Sequence, residues 1–193
     1  MILDRSSTNA VGWPQGSYAL PGGSEVRFKV GDLVVYPAQG VTEITAIETR
    51  DIDGIQHVFY VLKVLDSQKK ILVPIGKEES VGLRHVVTSP RIEEVLGVLR
   101  QRDLVFENET WNRRSRRYMD KIGSGSPIQL AEVMRDFSVL KGRKILSFGE
   151  RKMLELARNL LAQELAVALK KTGPDVEGLL DELFHDIVPF TNE

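Results

Sequence analysis

At Ser89-Pro90 the hydrophobic pattern of this chain changes period, and that change constrains the fold more than any other feature. Before it, short runs rich in β-branched and aromatic residues are separated by turn signals: Leu33–Tyr36, Val41–Ile47, His57–Leu65, Ile71–Val73 and Leu83–Val87. Such runs fit half-buried strands. Gly31-Asp32, Pro37 to Gly40 and Asp51 to Gly54 supply the tight or left-handed positions that hairpins need. Five strands in about 60 residues predict a small SH3-like or Tudor-like β-barrel. After Ser89, read as a cap with Pro90 in the first turn, apolar residues recur every three or four positions.

That second pattern predicts five helices packed as one bundle. Ile92, Val95, Leu96 and Leu99 stripe the first. The second runs from about Thr110 to Ile122 and stops at Gly123; the third follows Ser126-Pro127 and buries Leu130, Val133, Met134 and Phe137. Ser147-Phe148-Gly149-Glu150 has the form of a capping box. It opens the longest helix, with Met153, Ala157, Leu160, Leu161 and Leu165 inward, until Gly173-Pro174 breaks the pattern. A fifth, from about Asp175 to His185, buries Val176, Leu179, Leu180 and Leu183. The expected fold is therefore α+β and multidomain: a leader over 1–25 without periodicity, a barrel over 26–88, a helical domain over 89–187 and a tail over 188–193.

Composition excludes several classes. Without cysteine there is no disulfide, zinc-thiolate site or thiol nucleophile, as suits a reducing compartment, and no stretch approaches the length of a membrane span. His57, His85 and His185 have no metal-ligand spacing, and Gly123 to Ser126 lacks the lysine and preceding strand of a P-loop. Acidic residues alternate with basic ones along the helices, as on solvated faces. The sequence predicts neither enzyme nor cofactor, and a cytoplasmic monomer.

One local departure remains. The chain has 26 Lys and Arg against 27 Asp and Glu, yet Trp111-Asn112-Arg113-Arg114-Ser115-Arg116-Arg117-Tyr118 concentrates four arginines behind a tryptophan. Asp120 is the one acid between Trp111 and Lys121, so the like charges repel unless an anion is present. Guanidinium forks suit phosphate oxygens, and an indole can wedge between bases. Projection at 3.6 residues per turn puts Trp111 on the inward stripe with Tyr118, Met119 and Ile122; its place in the first turn lets the ring hang beyond the packed face. Spacing alone leaves both readings open.

Phe28-Lys29-Val30-Gly31-Asp32-Leu33-Val34-Val35-Tyr36-Pro37-Ala38-Gln39-Gly40-Val41, Val81-Gly82-Leu83-Arg84, Trp111-Asn112-Arg113-Arg114, Ala131 to Asp136 and Leu146 to Leu154, in this order, resemble the CarD/CdnL family of bacterial transcription regulators, the CdnL branch most closely. The resemblance covers about 28 to 185. It implies a barrel related to the polymerase-interacting domain of transcription-repair coupling factors, which binds the RNA polymerase β subunit by strand addition. The matching positions are Arg50, in the turn after the second strand, with Leu72 and Pro74 on a later one. Leu72 stands where some members carry arginine, and poor alternation around it leaves barrel core and exposed contact equally open.

For the helical domain the resemblance implies contact with promoter DNA at the upstream edge of the bubble, without sequence readout. Trp111 matches the minor-groove wedge, and Arg113, Arg114, Arg116 and Arg151 match basic positions. Ser115 departs from the pattern, where relatives often have an aromatic residue. The implied function is stabilisation of the open promoter complex. A stand-alone nucleic-acid-binding SH3-like module or a structural adaptor without a DNA role are the alternatives; the first would place its basic cluster on the barrel.

Overall fold

The computed structural model describes residues 26–104 and 110–191. The expectation for 1–25 lies outside the described residues. Five antiparallel strands precede five helices: β1 Leu33–Tyr36, β2 Gly40–Ile52, β3 Ile55–Val64, β4 Lys70–Pro74, β5 Arg84–His85, α1 Ser89–Leu99, α2 Trp111–Gly123, α3 Pro127–Lys141, α4 Phe148–Leu169 and α5 Gly173–Leu183.

The strands pair in the order β4-β3-β2-β1-β5. Val34, Ile44, Tyr60, Leu62 and Val73 meet Phe28 and Leu83 in one core, so the sheet curls around a single apolar centre. The Tyr60 hydroxyl accepts from the backbone N–H of Arg27 at 2.9 Å and of Phe28 at 3.3 Å, fastening the approach to β1. Burial holds this phenol above its ordinary value, more than those two bonds lower it.

β2 and β3 run further than their hydrophobic pattern indicates. Asp53 and Gly54 both take positive φ, 55° and 80°, as a two-residue type I′ turn requires. The ladder therefore continues through Arg50↔His57 to Ile52↔Ile55. That extension is exposed along β2 from Glu48, so no buried face imprinted a period on it. Arg50, expected in a turn, consequently lies within β2. β5 is shorter than expected, because the Val87 N–H bonds the Glu164 carboxylate on α4 at 2.9 Å rather than a strand.

The helical core follows the predicted stripes. Ile92, Val95, Leu96 and Leu99 of α1 pack with Leu130, Val133, Met134 and Phe137 of α3 and Ala157, Leu160, Leu161 and Leu165 of α4. The cap of α1 is Thr88, one residue earlier than expected, with Pro90 still in the first turn. Ser147 and Glu150 form the reciprocal capping box, and α4 ends at Lys170 in the left-handed conformation. Thr172 and Asp175 repeat the device at α5. α4 is the central element: it contacts α1, α2, α3, α5 and strand β2. No helix among the described residues is long and apolar enough to cross a membrane.

Candidate nucleic-acid interface

Only Tyr118 and Ile122 of α2 are buried, so most of this helix faces outward. Its C-terminal half is anchored: the Tyr118 hydroxyl donates to Asp136 at 3.1 Å, and Lys121 pairs with Glu132 at 2.8 Å. Burial, reinforced by the Asp136 carboxylate, pushes the Tyr118 phenol far above its usual range.

At the N-terminal end Trp111 stays 37% exposed. The structure thereby decides between the two readings of its spacing: the ring is on the surface, over the first turn of α4. A Cβ at Gly149 would stand 2.8 Å from Trp111 Cζ2, so the indole rests where a side chain would otherwise be. The Arg114 guanidinium carbon lies 5.6 Å from the ring centroid on one side and Nη2 reaches Glu150 at 3.1 Å on the other.

Glu150 is the hub beneath this platform. Its side chain is 1% exposed. It accepts from Arg114, from Lys144 Nζ at 2.8 and 2.9 Å and from the Ser147 N–H at 2.8 Å. Burial pushes the carboxyl upward, but the bonds from Lys144 and Ser147 outweigh it and hold the group below the ordinary glutamate value. Arg114, with 21% of its side chain accessible, therefore has an internal carboxylate as its immediate partner and supports the indole. The acid that neutralises it comes from α4, 36 residues away, beyond the reach of local charge counting.

Arg113, Arg116 and Arg151 are exposed. Arg113 and Arg116 line an open groove of about 420 Å³ with Arg117, Asp120, Lys121 and Gln129. Arg151 follows Gly149 by two residues in the first turn of α4 and also donates to the Leu146 carbonyl. Ser115 is half-buried, its hydroxyl donating back to the Asn112 carbonyl at 3.2 Å. Trp111 and Arg151 thus occupy the adjoining N-terminal ends of α2 and α4, with Arg113 and Arg116 on the outward side of α2.

Sequence reasoning missed Phe148, which is 70% exposed and adjacent to the Trp111 shelf, and Lys152, whose Nζ lies 5.8 Å from the Phe148 centroid. The capping-box reading absorbed this segment. A signal existed: Phe148 precedes Ala157 by nine residues, about half a turn out of phase with the buried stripe. Met119 is a further exposed apolar residue of α2, at 46%. Replacing Gly149 by alanine is expected to displace the indole, since the ring edge cannot bend away from the added methyl. Acrylamide quenching of Trp111, in a chain with Trp13→Phe, should rise, and unchanged quenching would show that the ring does not rest there.

The barrel positions come together on another surface. Arg50 lies opposite His57, Pro74 opposite Phe59 and Leu72 opposite Val61. His57, Phe59 and Val61 alternate along β3, so all three candidates share one face, away from Tyr60 and Leu62. Leu72 is 37% exposed, which settles its two readings in favour of the surface. Arg50 pairs in solvent with Glu48 at 2.9 Å, an interaction weak enough to exchange for another carboxylate. β4 pairs with β3 alone among the described residues, leaving its other edge open to an added strand.

No group of three or more His, Cys, Asp or Glu among the described residues is placed to hold a metal ion. His57 and His85 lie on strands, and His185 follows α5. The Gly123 to Ser126 turn is used internally: Ser126 caps α3, and the Gly125 carbonyl accepts from Arg84.

Two family models match this chain, the CarD-like/TRCF RID domain over residues 28–87 and the CarD C-terminal domain over 94–181. The Bacillus subtilis (strain 168) protein named "Putative transcription factor YdeB" is 30% identical over 142 residues, covering 72% of this chain and 91% of YdeB. Among solved structures, CdnLNt from Myxococcus xanthus is similar, with 42% identity over 36% of this chain and 97% of that one, at a TM-score of 0.29. Both halves of the chain match in order, and nearly the whole of YdeB aligns with it: the protein belongs to the CarD/CdnL family of transcription factors.

Proposed function

We propose that the protein is a non-enzymatic regulator that binds the RNA polymerase β subunit through its barrel, residues 26–88, and promoter DNA through its helical domain, residues 89–187, stabilising the open complex. The observation that carries this reading is the exposed Trp111, set on Gly149, together with Arg113 and Arg116 exposed on the outward side of the same helix and Arg151 exposed in the first turn of α4. An indole held on a rigid platform can occupy a distorted minor-groove step, while guanidinium groups around it hold phosphates without reading sequence. Phe148 and Lys152 extend the same surface by one apolar and one cationic group.

Binding the melted junction better than closed duplex shifts the equilibrium toward melting by the difference in the two binding free energies, with no nucleotide hydrolysed. Attachment to polymerase raises the local concentration, so weak DNA binding suffices. That attachment uses the outer face bearing Arg50, Leu72 and Pro74 and the open edge of β4. Such a protein acts in the cytoplasm, at the nucleoid.

Co-purification with bacterial RNA polymerase tests the assignment. The full chain is expected to retain the β subunit, and Arg50→Glu to weaken retention by placing like charge against an acidic partner surface. Undiminished retention by a chain carrying Arg50→Glu and Leu72→Pro, the latter removing an N–H that faces the open edge, would exclude this face and edge.

A further inference from the structure

The sheet and the helices are joined by a buried ion pair that belongs to neither proposed binding surface. The Glu164 carboxylate, on α4, is 1% exposed. It accepts from Arg84 Nη1 at 2.5 Å, from Nη2 at 2.8 Å and from the Val87 N–H at 2.9 Å. Arg84 Nε donates to the Gly125 carbonyl at 2.8 Å. One guanidinium at the end of the sheet therefore grips α4 and the turn that closes α2.

The surroundings leave little room for slip. Pro37, between β1 and β2, lies against Gly82 and Gly125, where a Cβ would come within 2.8 and 2.9 Å of its ring; a Cβ at Gly40 would stand 2.5 Å from Gln163 Oε1 and 3.2 Å from Leu160 of α4. Gly40, Gly82 and Gly125 have φ of 83°, 73° and 70°, so glycine is required there for conformation as well as for space.

The two gripped elements are those that carry the proposed DNA surface at their opposite ends. α2 bears Trp111 at its start and is held just beyond its end, at Gly125. α4 bears Phe148 to Arg151 at its start and is held at Glu164, about 21 Å along a helix that rises 1.5 Å per residue. Both act as rods fixed at Arg84, on β5 of the barrel.

We infer that Arg84 and Glu164 are positioning residues that hold the barrel and the helical domain in one register, so that a barrel seated on polymerase delivers Trp111 to one place on the DNA. The inference rests on the proposed roles of the two surfaces. A rigid connection sets the effective concentration of the second binding event, whereas polar interfaces between domains otherwise permit relative motion.

The chain has no cysteine, so two can be added at exposed positions for spin labels. Gln56→Cys on β3 and Glu155→Cys on α4 report the barrel–helix distance in the full chain. The variant is Arg84→Met with Glu164→Gln, which removes both charges together and leaves no isolated buried one. If that chain does not fold, Arg84→Lys serves: it keeps the charge but lacks the fork that spans Glu164 and Gly125. The variant is expected to keep its circular dichroism, polymerase binding and salt-dependent affinity for free DNA. Its distance distribution should broaden, and its extension of open-complex lifetime should fall about tenfold or more. A distribution as narrow as the parent's, or an unchanged lifetime, overturns the inference. A parent chain that itself never prolongs open complexes would refute the proposed function instead, and the distance distribution would then decide the joint alone.

Discussion

Replacing Trp111 by alanine is expected to shorten the lifetime of open promoter complexes while sparing the fold and polymerase binding. Stacking of a base on an aromatic side chain contributes about 1–3 kcal/mol, so the lifetime gained from the protein should drop roughly 5- to 150-fold. Stability should change far less than the 3–5 kcal/mol of a truncated core aromatic, because Trp111 is 37% exposed and Gly149 contributes no side chain beneath the ring. The arginines predict a different signature. Removing Arg113, Arg116 and Arg151 together should flatten the plot of log affinity against log salt, by about 0.9 for each phosphate left without its guanidinium. Arg114→Ala should leave that slope nearly intact and lower stability, since its partner is Glu150. A Trp111→Ala chain that unfolds readily, with an unaltered salt slope in the triple arginine variant, would make this segment scaffold.

Glu150→Gln should cause the largest loss of stability among the site variants. Removing one partner of a buried ion pair costs about 3–5 kcal/mol, and the accessibility of Lys144 lowers the expectation here to about 2–3 kcal/mol. For a chain of this size that corresponds to roughly 5–10 °C in Tm. The sign of the pH dependence follows from the depressed carboxyl. Its stabilisation is present above the unfolded value of 4.5 and is lost as pH falls through the lower folded value. Thermal melts between pH 7 and pH 3 should therefore show a smaller acid loss in Glu150→Gln than in the parent. Trp111 quenching should rise in the variant even at neutral pH, because Arg114 loses the carboxylate that holds it beside the ring. Equal acid sensitivity in both chains would place the dominant carboxylate elsewhere.

Much of the architecture was readable because burial imprints a period. The stripes of α1 and α3 and the Ser147–Glu150 capping box follow from local spacing, as does the change of pattern at Ser89. Where an element has no buried face, that imprint is missing. The exposed half of the β2–β3 hairpin extends to Ile52 and Ile55 without any alternation to reveal it. Phe148 shows the converse: it occupies a helix but sits outside the stripe, and a reading that searches for inward residues passes over it.

Trp111 and the arginines of α2 could be singled out as candidates from the sequence because their charge imbalance is local; Arg151 came only from the family resemblance, and Phe148 and Lys152 escaped both. Their roles were not legible, because each depends on a residue distant in the chain. One side of the Trp111 ring is covered because α4 brings Gly149 against it, and Arg114 turns inward because the same helix end presents Glu150. Leu72 is a surface residue because the sheet curls with Val73 inward. Periodicity, capping and charge each act over a few residues, so the two domains, their elements and the chemistry available to them are written in the linear chain. Which cations face outward and which indole edge is accessible came from packing between elements. Packing also joined the barrel to α4 through Arg84 and Glu164, 80 residues apart, since pairing between distant carboxylates and guanidinium groups leaves no local pattern in the chain.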